Sequence, residues 1–145
     1  MQFEHVAEIA APPEHLWDLT TDVERWPTFL DTVTTVDRLD DGPFRVGSQA
    51  RIKQPGQRPT VWTVTEMDAP TRFQWKARTL GSDMVATHGI EPTSAGCRNH
   101  LRLDLTGGPS WLTGRLLGRL LRKTLARENA AFTALAEGVP SHADT

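Results

Sequence analysis

The chain has 145 residues, 38% of them apolar and 23% charged, which excludes a disordered polymer and allows one ordinary domain with a real core. A formal net charge of −2 gives the chain as a whole no electrostatic case for nucleic acid. Cys97 stands alone, which excludes a disulfide framework or a cysteine metal site and reads as a small buried side chain.

Residues 2–9 alternate in polarity and end at Ala10-Ala11-Pro12-Pro13, which predicts a first strand. Pro12 and Pro13 suit the first turn of a helix running through Leu19. Asp22 is placed to cap a second short helix, Val23 to Leu30, that Pro27 bends or breaks. Six strand-like segments follow: Thr32–Leu39, Ser48–Gln54, Thr60–Met67, Arg72–Leu80, Asp83–Glu91 and Arg98–Thr106. Turn residues separate them, among them Pro55-Gly56, Asp68-Ala69-Pro70 and Thr93-Ser94-Ala95-Gly96. Such short connections predict an antiparallel sheet of about seven strands with one wet and one covered face.

The last element is a helix over Ser110–Glu137, with Ser110 as its expected N-cap. Leu117, Leu120, Leu121, Leu125, Phe132 and Leu135 make its apolar stripe, and Arg115, Arg119, Arg122 and Lys123 fall on the far side. Those cations read as a solvated face before a membrane or RNA patch. Glu128 interrupts the stripe near its centre. Domain 1–138 would then be followed by a flexible tail, 139–145. The start, Met1-Gln2-Phe3-Glu4-His5, lacks the pattern of a secretion signal, and no apolar run reaches the ~20 residues of a membrane span. A cytoplasmic protein without integral membrane association is expected.

Three stretches carry a resemblance. They are Ala11-Pro12-Pro13-Glu14…Leu16-Trp17 with Asp22-Val23-Glu24-Arg25-Trp26-Pro27, then Val61-Trp62-Thr63-Val64-Thr65-Glu66-Met67-Asp68-Ala69-Pro70…Phe73-Gln74-Trp75, then His88-Gly89-Ile90-Glu91-Pro92…Gly96. Together with the element order they resemble the SRPBCC (START/Bet v 1-like) superfamily, and within it the polyketide cyclase/dehydrase-like family. The resemblance implies an α+β helix-grip fold. A seven-stranded antiparallel sheet would curve around the long C-terminal helix, with two short helices after strand 1. It also implies a ligand space between sheet and helix. The family's aromatase/cyclases carry a pocket arginine late on the Trp62 strand and a tyrosine after the Trp-Pro pair. Here those stretches read Glu66-Met67-Asp68 and Asp31-Thr32-Val33, so the group that would polarise a ketone is missing.

No catalytic signature such as G-x-S-x-G, a P-loop or H-E-x-x-H is present, and the five histidines lack metal-ligand spacing. With Ile90 in the core, His88, Ala86 and Met84 should face inward on the same strand. His88 reads either as a core histidine holding one hydrogen bond or as a cavity group that orients or protonates a ligand. Glu128 reads either as half of a structural pair or as a cavity acid/base. Arg51 and Asn99 are weaker candidates, Arg51 because its register can flip. Trp62, Trp75, Met84 and Leu121 should wall the cavity, and Trp26 and Trp111 should flank one mouth, beside the Gly107-Gly108-Pro109 loop. Three functions compete: a carrier or sensor of a small hydrophobic ligand (polyketide, lipid or quinone-like), a cyclase/dehydratase using His88 and Glu128, and an interaction module without ligand. No metal or cofactor is expected, and the chain should be a monomer or homodimer.

Overall fold

Strand β1 (Gln2–Ile9) turns Phe3 and Ile9 inward and ends before Ala10, whose N–H leaves the ladder for the Glu137 carboxylate. The computed structural model describes residues 1–79 and 81–138, so the expected tail 139–145 and Leu80 lie outside the described residues. Helix α1 (Pro13–Thr21) starts on Pro13 and buries Leu16, Leu19 and Thr20. Pro27 cannot donate an α-helical bond, and the next element is accordingly a 3-10 helix, Val23–Thr28, shorter than expected.

The strands that follow are β2 (Thr35–Arg38), β3 (Gln49–Lys53), β4 (Thr60–Asp68), β5 (Arg72–Thr79), β6 (Ser82–Thr93) and β7 (Gly96–Thr106). They form one antiparallel sheet in the order β1-β7-β6-β5-β4-β3-β2, so the first strand closes onto the last. Helix α2 (Ser110–Ala136) lies across this sheet against β1 and β7, and the architecture is the α+β helix grip. Strand β2 is shorter than its β-branched sequence suggests. Thr32 leaves the ladder direction and sends its hydroxyl to Glu128 of α2 instead.

The concave face is built in rows set by register. Phe73 pairs with His88 and His88 with Leu101; Trp75 pairs with Ala86 and Ala86 with Leu103; Ala77 pairs with Met84 and Met84 with Leu105. Bulky and small side chains therefore alternate across the middle of the sheet. The alanine at 86 leaves part of the hollow that a larger side chain would fill.

Helix α2 does not bury the stripe expected of it. Leu125 and Phe132 are buried, but Leu117 and Leu120 are exposed, and the deeply packed residues of the first half are Gly114 and Gly118. A Cβ on Gly118 would come within 3.3 Å of the Phe3 ring, and one on Gly114 would run into Met1. Glycine lets the helix approach β1 closely, and that approach turns the leucines aside. The N-cap is Pro109 rather than Ser110, with no side-chain cap bond. Further along, Asn129 fastens helix to sheet. Its Oδ1 accepts from Asn99 Nδ2 at 2.9 Å, and its Nδ2 donates to His5 Nδ1 at 2.9 Å and to the carbonyls of His5 and Asn99 at 3.2 and 3.3 Å.

Candidate functional site

Between the sheet and α2 lies a cavity of about 930 Å³. Its inner wall is Trp26 from the 3-10 helix, Trp62 from β4, Trp75 from β5, Met84, Ala86 and His88 from β6, and Leu101, Leu103 and Leu105 from β7. Leu121, Leu125 and Glu128 of α2 close it from the other side. The rim is formed by the β3–β4 loop at Gly56, Gln57, Arg58 and Pro59, by Arg78, and by Leu117 and Leu120 of α2. These rim residues are exposed, so the mouth opens between that loop and the first half of the helix.

His88 sits at the inner end among aromatic rings. Phe73 stacks on it at 4.8 Å and 5°, Trp26 lies 5.5 Å away, and Phe132 meets it edge-on at 6.3 Å. No carboxylate among the described residues neutralises an imidazolium there, and burial lowers its pKa from 6.5 to about 4. The ring is therefore neutral at pH 7. His88 Nδ1 and Trp26 Nε1 are enclosed without hydrogen-bond partners. The expectation of a core histidine satisfied by one hydrogen bond fails, because its ring makes none with the described residues.

Glu128 projects from α2 into the same cavity, where Thr32 Oγ1 donates to its Oε1 at 3.2 Å. It is half-buried because the cavity reaches it, but protein encloses the carboxyl on its other sides. Desolvation raises its pKa from 4.5 to about 7, and the Thr32 bond only partly opposes that rise. Among the described residues no arginine pairs with it. Neither His88 nor Glu128 contributes to the other's shift, so they are two separate polar anchors in one apolar room. A neutral imidazole accepts or donates one hydrogen bond, and a carboxyl near its midpoint at pH 7 gives or takes a proton.

Three sequence-based expectations are corrected. Arg51 is exposed and outside the cavity, because Ala50 and Ile52 take the inward positions of β3. Asn99 is buried on the inward face but is held by Asn129, away from the cavity wall. Trp111 is 63% exposed on the outside of α2, whereas Trp26 is a deep wall residue, so the two do not share a mouth and the Gly107-Gly108 loop is not a rim. Trp26, Trp62, Trp75, Met84, His88, Leu121 and Glu128 all line the cavity. Thr32 was missed as a site residue; its only signal in sequence was a hydroxyl in the segment where related cyclases are expected to place a tyrosine. Cys97 is buried in the core, with its thiol pKa raised chiefly by desolvation. No group of three or more His, Cys, Asp or Glu among the described residues is placed to hold a metal ion.

The profile of the family described as polyketide cyclase / dehydrase and lipid transport matches residues 1–137. No curated protein sequence matches the chain. Among solved structures, the chain is similar to the Zhui aromatase/cyclase of a Streptomyces species at 15% identity and a TM-score of 0.78, covering 99% of this chain and 97% of that one. It is similar to norcoclaurine synthase of Thalictrum flavum at 16% identity and a TM-score of 0.74, over 97% and 88% of the two chains. The di-domain aromatase/cyclase StfQ of steffimycin biosynthesis gives 15% identity and a TM-score of 0.79 over 94% of this chain, which spans about half, 51%, of that protein. At these identities the likeness is one of fold.

Proposed function

This chain belongs to the polyketide cyclase/dehydrase and lipid-transport family, in the SRPBCC superfamily, and from that premise we propose that it carries or senses one small hydrophobic ligand. The observation that supports this most is the cavity itself: about 930 Å³, walled by tryptophans and leucines, with two unlinked polar anchors. That volume lies within the roughly 300–1,000 Å³ of small-molecule sites. The ligand class is a polyketide, a lipid or a quinone-like molecule: a mostly apolar body with one or two oxygens to meet His88 and Glu128. A closed, filled interior would favour an interaction module without ligand, and the open cavity counts against that reading.

Native mass spectrometry of freshly purified protein should show a bound apolar mass that denaturation releases. In a carrier, His88→Ala and Glu128→Gln each weaken binding by about 1–2 kcal/mol, the scale of one lost hydrogen bond. Consistently ligand-free protein that also takes up no quinone or fatty acid would sink the reading.

One observation favours a second reading, a cyclase or dehydratase. A carboxyl held near pKa 7 in a largely apolar cavity is matched to proton transfer at neutral pH. In that case Glu128→Gln loses most turnover on a poly-β-ketone substrate with ligand affinity nearly kept, since acid–base help acts in the transition state. The absence of the aromatase arginine and tyrosine weighs towards the carrier.

A further inference from the structure

The first half of α2 leaves an apolar band uncovered. Leu116 is 72% exposed, Leu120 54% and Leu112 41%, and Trp111, on another side of the helix in its first turn, is 63% exposed. Leu112, Leu116 and Leu120 follow each other at intervals of four residues and so stack on one side of the helix. Leu117 and Leu121 lie one step further round and line the cavity. Between this leucine row and the cavity side of the helix stand Thr113 and Thr124, which also line the cavity, so the row borders the mouth.

Charge lies beside it. Residues 111–123 contain Arg115, Arg119, Arg122 and Lys123 and no acidic residue, in a chain whose overall charge is negative. Arg58 and Arg78 stand on the mouth's rim. A second copy of this chain is a poor cover, because a two-fold contact through this face would set the cations against their own equivalents. Projecting leucines flanked by cations, with a tryptophan at the edge, match the interfacial region of an anionic bilayer, where leucines enter the acyl boundary and guanidiniums reach the phosphates.

We propose that the Trp111–Lys123 half of α2 docks the protein on an anionic lipid bilayer, with the cavity mouth facing the membrane. The inference goes beyond the cavity reading. Membrane docking on this face would let an apolar ligand pass between bilayer and cavity without crossing water.

The full chain is sedimented with vesicles of phosphatidylcholine and with vesicles of equal parts phosphatidylcholine and phosphatidylglycerol. Binding is expected to the anionic vesicles, weakened by salt, with a blue shift of Trp111 emission that Trp111→Phe removes. Leu116→Glu should lower the partition coefficient about tenfold or more, and Arg115→Glu with Arg119→Glu should remove the preference for anionic lipid. Both sites are solvent-exposed, and far-UV circular dichroism checks that the variants fold. Wild-type protein left in the supernatant of anionic vesicles, or Leu116→Glu binding as well as wild type, overturns the proposal. So does a stable dimer that Leu116→Glu converts to monomer, since a second copy would then cover the band. Intact vesicle binding by a protein whose cavity takes no ligand upholds docking and counts only against the carrier reading.

Discussion

His88 and Glu128 bend the pH dependence of stability in opposite directions. His88 has a folded pKa of about 4 against 6.5, so the unfolded chain binds the extra proton. Its contribution is complete above pH 6.5 and is lost as pH falls towards 4. Glu128 has a folded pKa of about 7 against 4.5, so here the folded state holds the proton. Its contribution is complete below pH 4.5 and is lost as pH rises towards 7. Each shift corresponds to about 3 kcal/mol, and the windows overlap, so the wild type should change little between them. Chemical denaturation of Glu128→Gln should uncover a stability that rises with pH between 4 and 6.5. His88→Phe, which keeps the stacking on Phe73, should uncover one that falls between 4.5 and 7. A flat profile in both variants would mean that neither group is desolvated. The inward setting of His88 was legible, since β6 alternates around a core Ile90. Its lack of any partner was not, because that depends on the rings of Phe73, Trp26 and Phe132, which come from three other elements.

Helix α2 is held by two devices that a hydrophobic pattern does not register. One is the glycine pair at 114 and 118, invisible to a search for apolar periodicity because glycine packs by having no side chain. The other is Asn129, a polar residue in the buried face that satisfies groups on β1 and β7 at once. Replacing it with leucine should cost about 2–4 kcal/mol in urea denaturation, since Asn99 Nδ2, the buried Asn99 carbonyl and the part-buried His5 carbonyl lose their partner. Ligand affinity should stay near wild type, because Asn129 is not on the cavity wall. Asn99 illustrates the limit of strand-face reasoning: its inward position follows from alternation with Leu101, Leu103 and Leu105, but its partner is thirty residues away on α2. Arg51 is the reverse case. The apolar Ala50 and Ile52 beside it already oppose an inward arginine.

At the scale of the whole molecule the cavity is a deficit of side-chain volume in the middle of the sheet, and Ala86 marks its floor between Trp75 and Leu103. Ala86→Phe should fill it, abolishing co-purified ligand in native mass spectrometry while leaving the melting temperature unchanged or higher. A sharp loss of stability instead would show that no usable space exists there. The antiparallel sheet and the grip were legible because the strands are joined by hairpin-length turns; the place of β1 beside β7 and the mouth were not, since the first depends on a long-range pairing and the second on which face of α2 the glycines pull inward. One feature of the sheet bears on the life of the chain before it is folded. β1 pairs with β7, Gln2 opposite Asp104 and Ile9 opposite Cys97. During synthesis the earliest strand must wait, unpaired, until the last strand has been made, and only then can the sheet acquire its β1 edge. Loop closure over such a separation is slow, so docking of β1 should be the late step of refolding, and an amide-exchange pulse should label β1 after β5 and β6 are already protected.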